Sequence, residues 1–96
     1  MNLVEQIQAW YESQCNGNWE HQHGISIDTL DNPGWTVSID LAGTNLESVT
    51  IPPYQHDASD KDWFFCEIKE GKFTGNGSPD KLSTILEIFV SLLAMR

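Results

Sequence analysis

The densest chemistry in the chain lies in one short stretch, Cys15-Asn16-Gly17-Asn18-Trp19-Glu20-His21-Gln22-His23. His21 and His23 stand two apart. On a strand they would share a face and both reach a metal ion, with Cys15 and Glu20 as further ligands. A thiol near an imidazole is also the raw material of a cysteine nucleophile. Neither pattern is complete. Structural zinc sites pair their Cys or His in two clusters, and the remaining histidine, His56, stands alone. Sequence proximity does not fix Cys–His geometry. The competing reading is a polar turn, with Trp19 packed inward and Glu20 or His21 bonded to backbone groups. A small metal-binding or cysteine-dependent enzyme using Cys15, His21 and His23 is therefore the second expectation. The first has no catalytic residue, no metal ligand and no cofactor.

A phosphate cradle is not expected either. Gly75-Asn76-Gly77-Ser78 leads toward a helix start, but it has no Lys and no preceding βαβ unit, so it reads as a turn and cap.

The acidic residues form the other cluster. Asp57, Asp60 and Asp62 fall in one stretch, and Glu20, Asp28 and Asp31 frame a hairpin. The chain carries 14 Asp and Glu against 5 Lys and Arg, a net charge of −9. No run of Lys or Arg offers a phosphate-backbone footprint, so no nucleic-acid partner is expected. Such a charge speeds encounter with a basic protein.

These residues need a scaffold. The 96 residues suit one domain spanning 1–96, and at 40 % hydrophobic they can bury a core without covalent staples. Two distant cysteines, Cys15 and Cys66, fit reduced thiols in a cytoplasmic protein. Met1 to Glu5 shows no charged n-region and no apolar h-region, so no signal peptide is expected. The apolar C-terminal stretch is broken by Glu87 and Ser91, so no membrane partner is expected.

Local patterns give the elements. Leu3, Val4, Ile7, Trp10 and Tyr11 recur at helical spacing, Asn2 and Glu5 make a capping-box pattern, and the helix should stop near Gln14. Ile25 and Ile27, then Trp35, Val37, Ile39 and Leu41, alternate with polar residues as strands do. Asp31-Asn32-Pro33-Gly34 between them predicts a hairpin loop of four residues or slightly more. A third strand is expected near Val49 to Ile51, ended by Pro52-Pro53. Tyr54 to Asp62 reads as an acidic, mobile loop. Trp63 to Lys69 reads as a strand, Glu70-Gly71 as a tight turn, and Lys72 to Thr74 as a return strand that Gly75-Asn76-Gly77 breaks. Ser78 is the expected cap of a last helix, with Pro79 at its first position and Asp80 in its first turn. Its stripe is Leu82, Ile85, Leu86, Phe89, Leu92 and Leu93, widened by Val90, and Arg96 sits at the negative end of its dipole. Without βαβ alternation, the expected class is α+β: an antiparallel sheet covered by an N-terminal and a C-terminal helix.

One resemblance runs through these elements. Trp10-Tyr11, Cys15 to His21, Gly24-Ile25, Thr29-Leu30-Asp31-Asn32-Pro33-Gly34-Trp35 and Ile39-Asp40-Leu41, with Trp63 and Gly75-Asn76-Gly77, resemble the immunity protein 53 family of bacterial polymorphic toxin systems. The sequence departs from that pattern at Asn18, where an acidic residue is usual, and at His23, where an aromatic is. The resemblance implies a protein made beside a toxin that protects the producing cell. It names neither the toxin nor the contact residues. Such a role needs tight binding, up to a non-covalent ceiling of roughly 10⁻¹³–10⁻¹⁶ M, and steering by opposite charge. The expected partner is a basic toxin domain, with a nuclease favoured by the −9 charge. The expected contact residues are Glu20, Asp31 and Trp35 around the first hairpin and Asp57, Asp60 and Asp62 in the acidic stretch. A monomer and a homodimer both stay open, since part of the last helix's wide stripe would serve a dimer.

Overall fold

The structure is a computed structural model that describes residues 1–94. Arg96, expected at the end of the last helix, lies outside the described residues. Helix α1 (Leu3–Gln14) begins where Asn2 and Glu5 predict. The Asn2 side chain accepts from the Glu5 N–H at 2.9 Å, and the Glu5 carboxylate accepts from the Asn2 N–H at 3.2 Å. Two of the helix's four orphan amide groups are thereby satisfied reciprocally.

A five-stranded antiparallel sheet follows: β1 (Ile25–Leu30), β2 (Gly34–Asp40), β3 (Tyr54–Ser59), β4 (Asp62–Lys69) and β5 (Lys72–Gly77), in spatial order β1-β2-β5-β4-β3. A last helix, here α3 because a short α2 (Trp19–Gln22) intervenes, spans Leu82–Leu92 and packs on β5, β4 and α1. The class is α+β, as the sequence predicts. Ile85, Leu86, Phe89 and Leu92 of α3 are buried against Val37, Ile39, Cys66 and Phe73 of the sheet. Trp10 of α1 joins them, edge-on to Phe89 at 5.2 Å between centroids and to Trp19 at 6.1 Å.

Four local expectations are corrected. Val49 to Ile51 is not a strand. Three successive short turns, from Thr44 N–H to Leu41 C=O, Glu47 to Thr44 and Val49 to Leu46, coil the chain just before it so that Leu46 is fully buried. Tyr54 to Ser59 is a strand and not a loop. It is an edge strand exposed on both faces, so it carries no alternation to read, and the connection shrinks to Asp60-Lys61. The first hairpin loop has three residues, because Gly34 already pairs with Leu30. Finally, α3 starts at Leu82, with Lys81 in the cap position. Ser78 is fully buried instead, and its hydroxyl accepts from the Trp63 N–H at 3.1 Å. The Ser78–Lys81 turn is thus stitched to β4 before the helix begins.

The glycine run also differs from expectation, since β5 continues through Gly77. Gly75 lies directly under α3, where an added Cβ would collide with the Ile85 side chain and stand 3.2 Å from Cys66 Sγ. The glycines let the helix approach the sheet. Gly75→Val is expected to destabilise by about 1–3 kcal/mol through overpacking. An unchanged urea midpoint would contradict that close approach. The Glu70-Gly71 turn is as predicted, with φ of 55° and 77° at its two central residues, the pattern of the tight hairpin turn that matches strand twist.

Candidate functional site

Strand alternation sorts the candidate residues by face. Residues 64, 66 and 68 of β4 pair with Gly77, Gly75 and Phe73, on the side that α3 covers. Trp63 and Phe65 therefore point to the side without helices. Their partners on β3 are Asp57 and Gln55. Both aromatic side chains stay half-buried. With Asn32 of the first hairpin turn and Asp60 of the β3–β4 turn, they line an open groove of about 540 Å³. The register places both turns at the same end of the sheet.

Asp57 and Asp60 are exposed groove residues whose side chains make no hydrogen bond or ion pair among the described residues. Asp31 is exposed beside Asn32 in the turn that forms the opposite rim. These three carboxylates are uncommitted and sit at one end of the molecule.

The other three candidates are placed differently. Asp62 points to the helix side, where its Oδ1 meets Lys81 Nζ at 2.8 Å and His56 Nε2 at 3.0 Å. The Lys81 ammonium, then the His56 contact, holds the Asp62 carboxyl below the usual carboxylate range. Lys81 also meets Asp80 at 3.1 Å. Asp62, and after it Asp80, raises the lysine's pKa. Asp62 thus ties β4 to the turn before α3. Trp35 also faces the helix side, half-buried, with its indole N–H donating to the Pro79 carbonyl at 2.8 Å.

Glu20 lies at the far end of the sheet. Its helix α2 packs where β1 begins and β2 ends, with the Trp19 indole N–H donating to the Ala42 carbonyl at 2.9 Å. The Glu20 carboxylate accepts from the Asn16 and Gly17 N–H groups at 2.9 and 2.7 Å, closing the turn between α1 and α2. Hydrogen bonds from backbone amides, its own first and then that of Asn16, keep this carboxyl below its ordinary pKa. A depressed carboxylate contributes stability above its unfolded pKa, and loses it as pH falls through the folded value. Glu20→Gln is therefore expected to lower the thermal midpoint at neutral pH, with the gap closing below about pH 4. A gap that persists in acid would contradict this clamp.

The Cys15–His23 stretch does not converge. Because α2 is a helical turn and not a strand, His21 and His23 do not share a face as a period of two would require. His21 is exposed, while His23 lies against Trp19 at 5.8 Å and 3.7 Å from Asp40. The Cys15 thiol donates to the Tyr11 carbonyl at 3.4 Å. Among the described residues, no three His, Cys, Asp or Glu side chains gather to hold a metal ion. Burial pushes the Cys66 thiol up to about 11, so it stays protonated in the core.

Trp63, Phe65, Gln55 and Asn32 are groove residues that the sequence reading leaves out of the site. One signal was present: Trp63-Phe64-Phe65-Cys66 is apolar at every position, so any strand through it must show aromatic surface on both faces.

The model of the family described as immunity protein 53 matches residues 4–94. No curated protein matches the chain, and no solved structure matches it. Among the described residues no helix is long and apolar enough to cross a membrane.

Proposed function

The chain belongs to the immunity protein 53 family, and from that premise we propose that it neutralises a toxin protein in the cytoplasm by binding it one to one, without catalysis. The family match over residues 4–94 carries this reading. The geometry supports it. Asp57 and Asp60 are held at the end of a hydrogen-bonded sheet, beside half-buried aromatic residues, with Asp31 across the groove. Charged and aromatic groups on rigid structure are the usual anchors of a protein interface. Asp31, Asp57 and Asp60 are the contact residues in this reading. Trp35 and Asp62 support the same end from behind, and Glu20 holds the opposite end.

The partner is a basic toxin domain. A net charge of −9 draws such a domain in and repels phosphate backbones. Nuclease toxins carry the basic surfaces that phosphate binding requires, which makes a nuclease the favoured target class. The test is growth of cells expressing the toxin domain encoded by the adjacent upstream gene, with and without this chain. Rescue together with a co-purifying complex is the expected result. Toxicity that this chain leaves unchanged would overturn the reading.

A further inference from the structure

We propose that the groove between the first hairpin turn and the β3 edge is a receptor for an arginine side chain of the partner, its guanidinium lying on Trp63 and Phe65 and donating to Asp57 and Asp60. The identity of that partner as a toxin rests on the antitoxin reading above; the chemistry of the groove does not. Three observations converge. Trp63 and Phe65 present half-buried rings to the helix-free face. A cation over the face of Trp or Phe is attracted by the ring quadrupole, most strongly by Trp. Asp57 and Asp60 line the same groove and make no ion pair among the described residues. By contrast, Asp62 and Asp80, one strand-face away, are both already paired with Lys81. Asn32 and Gln55 also line the groove, and an amide side chain can offer a neutral oxygen acceptor.

Charge complementarity fixes the occupant as a cation, and shape selects the kind. A guanidinium is flat, stacks on aromatic rings, is weakly hydrated and carries five donors that match carboxylates in pairs. A lysine ammonium is a compact, strongly hydrated point charge and would leave the ring faces uncovered. A volume of about 540 Å³ exceeds one side chain, leaving space for the segment that presents the arginine.

The test uses the full isotope-labelled chain and no toxin, so that its failure is separate from failure of the antitoxin reading. N-acetyl-arginine amide, its lysine counterpart and the neutral isostere N-acetyl-citrulline amide are titrated while NMR follows the Trp63 indole N–H and the side-chain amides of Asn32 and Gln55. The arginine compound should shift these signals with saturation in the millimolar range. The lysine compound should bind several-fold more weakly, and citrulline should have no effect. The double variant Asp57→Asn, Asp60→Asn should keep the parent spectrum away from the groove and lose the arginine response. Equal shifts with citrulline, lysine binding as well as arginine, no groove response to arginine, or a double variant that responds like the parent would each overturn the proposal. The growth rescue would be untouched by any of them.

Discussion

Trp10→Ala is expected to cost about 3–5 kcal/mol of unfolding free energy, the range for truncating a buried Trp or Phe. Trp10 is 5 % exposed and sits where three elements meet. Its ring packs edge-on to Phe89 of α3 and to Trp19 of α2, at 5.2 and 6.1 Å. Its indole N–H donates to the Asn45 side chain at 2.9 Å, which pins the coiled connection after β2. Truncation therefore leaves a cavity, removes two aromatic pairs and breaks the tie to Asn45 at once. For a domain whose total stability is of order 5–15 kcal/mol, this is enough to unfold a large share of the molecules at elevated temperature. Trp10→Phe keeps most of the volume and loses chiefly the hydrogen bond, worth about 0.5–1.5 kcal/mol net, so it should recover most of the loss. Urea titration reads both. An alanine variant within about 1 kcal/mol of the parent would contradict the packing described, since that is below the cost of any well-packed aromatic truncation.

The second large effect concerns binding. Replacing Asp31, Asp57 and Asp60 together by Asn should slow association with the toxin domain at least about tenfold at low salt, because steering separates roughly 10⁸–10⁹ from 10⁵–10⁶ M⁻¹s⁻¹. The deficit should shrink as salt rises, since the Debye length falls from roughly 30 Å at 0.01 M to 3 Å at 1 M. A matched control removes three exposed acids elsewhere, Glu12, Glu70 and Glu87. Both variants have the same net charge, so a local contact and a global field are told apart. If both variants slow equally, the sheet end has no special role. If neither slows, steering by the −9 charge is wrong.

Much of this architecture was legible in the sequence because local and tertiary signals agree. The Asn2–Glu5 capping box starts α1 as read, the alternation from Trp35 to Asp40 gives β2, and the stripe from Leu82 to Leu92 gives α3. The misses share a physical cause: a tertiary contact overrides a local preference. Ser78 has cap chemistry, yet its hydroxyl is taken by the Trp63 backbone. Gly75 and Gly77 look like breakers, yet they are the positions where α3 crowds the sheet. β3 is polar at nearly every position, and only pairing with β4 makes it a strand.

The candidate site was legible in composition and not in geometry. Asp57 and Asp60 are exposed beside the groove, but no local signal separates them from Asp62, two residues further on, which is spent on Lys81 and His56. Glu20 and Asp31 flank the same strand in sequence, yet β1 carries the chain from one end of the sheet to the other between them. Its six residues span roughly 20 Å at strand rise, enough to put the two carboxylates at opposite ends of the sheet.

The most direct measurement is a titration of toxin activity with the purified chain, at toxin concentrations well above the dissociation constant. Stoichiometric neutralisation predicts a linear fall in activity that reaches its floor at one equivalent, with the chain recovered unchanged in the complex. Activity abolished by a small fraction of an equivalent, as a turning-over enzyme would do, or activity unaffected at several equivalents, would contradict it.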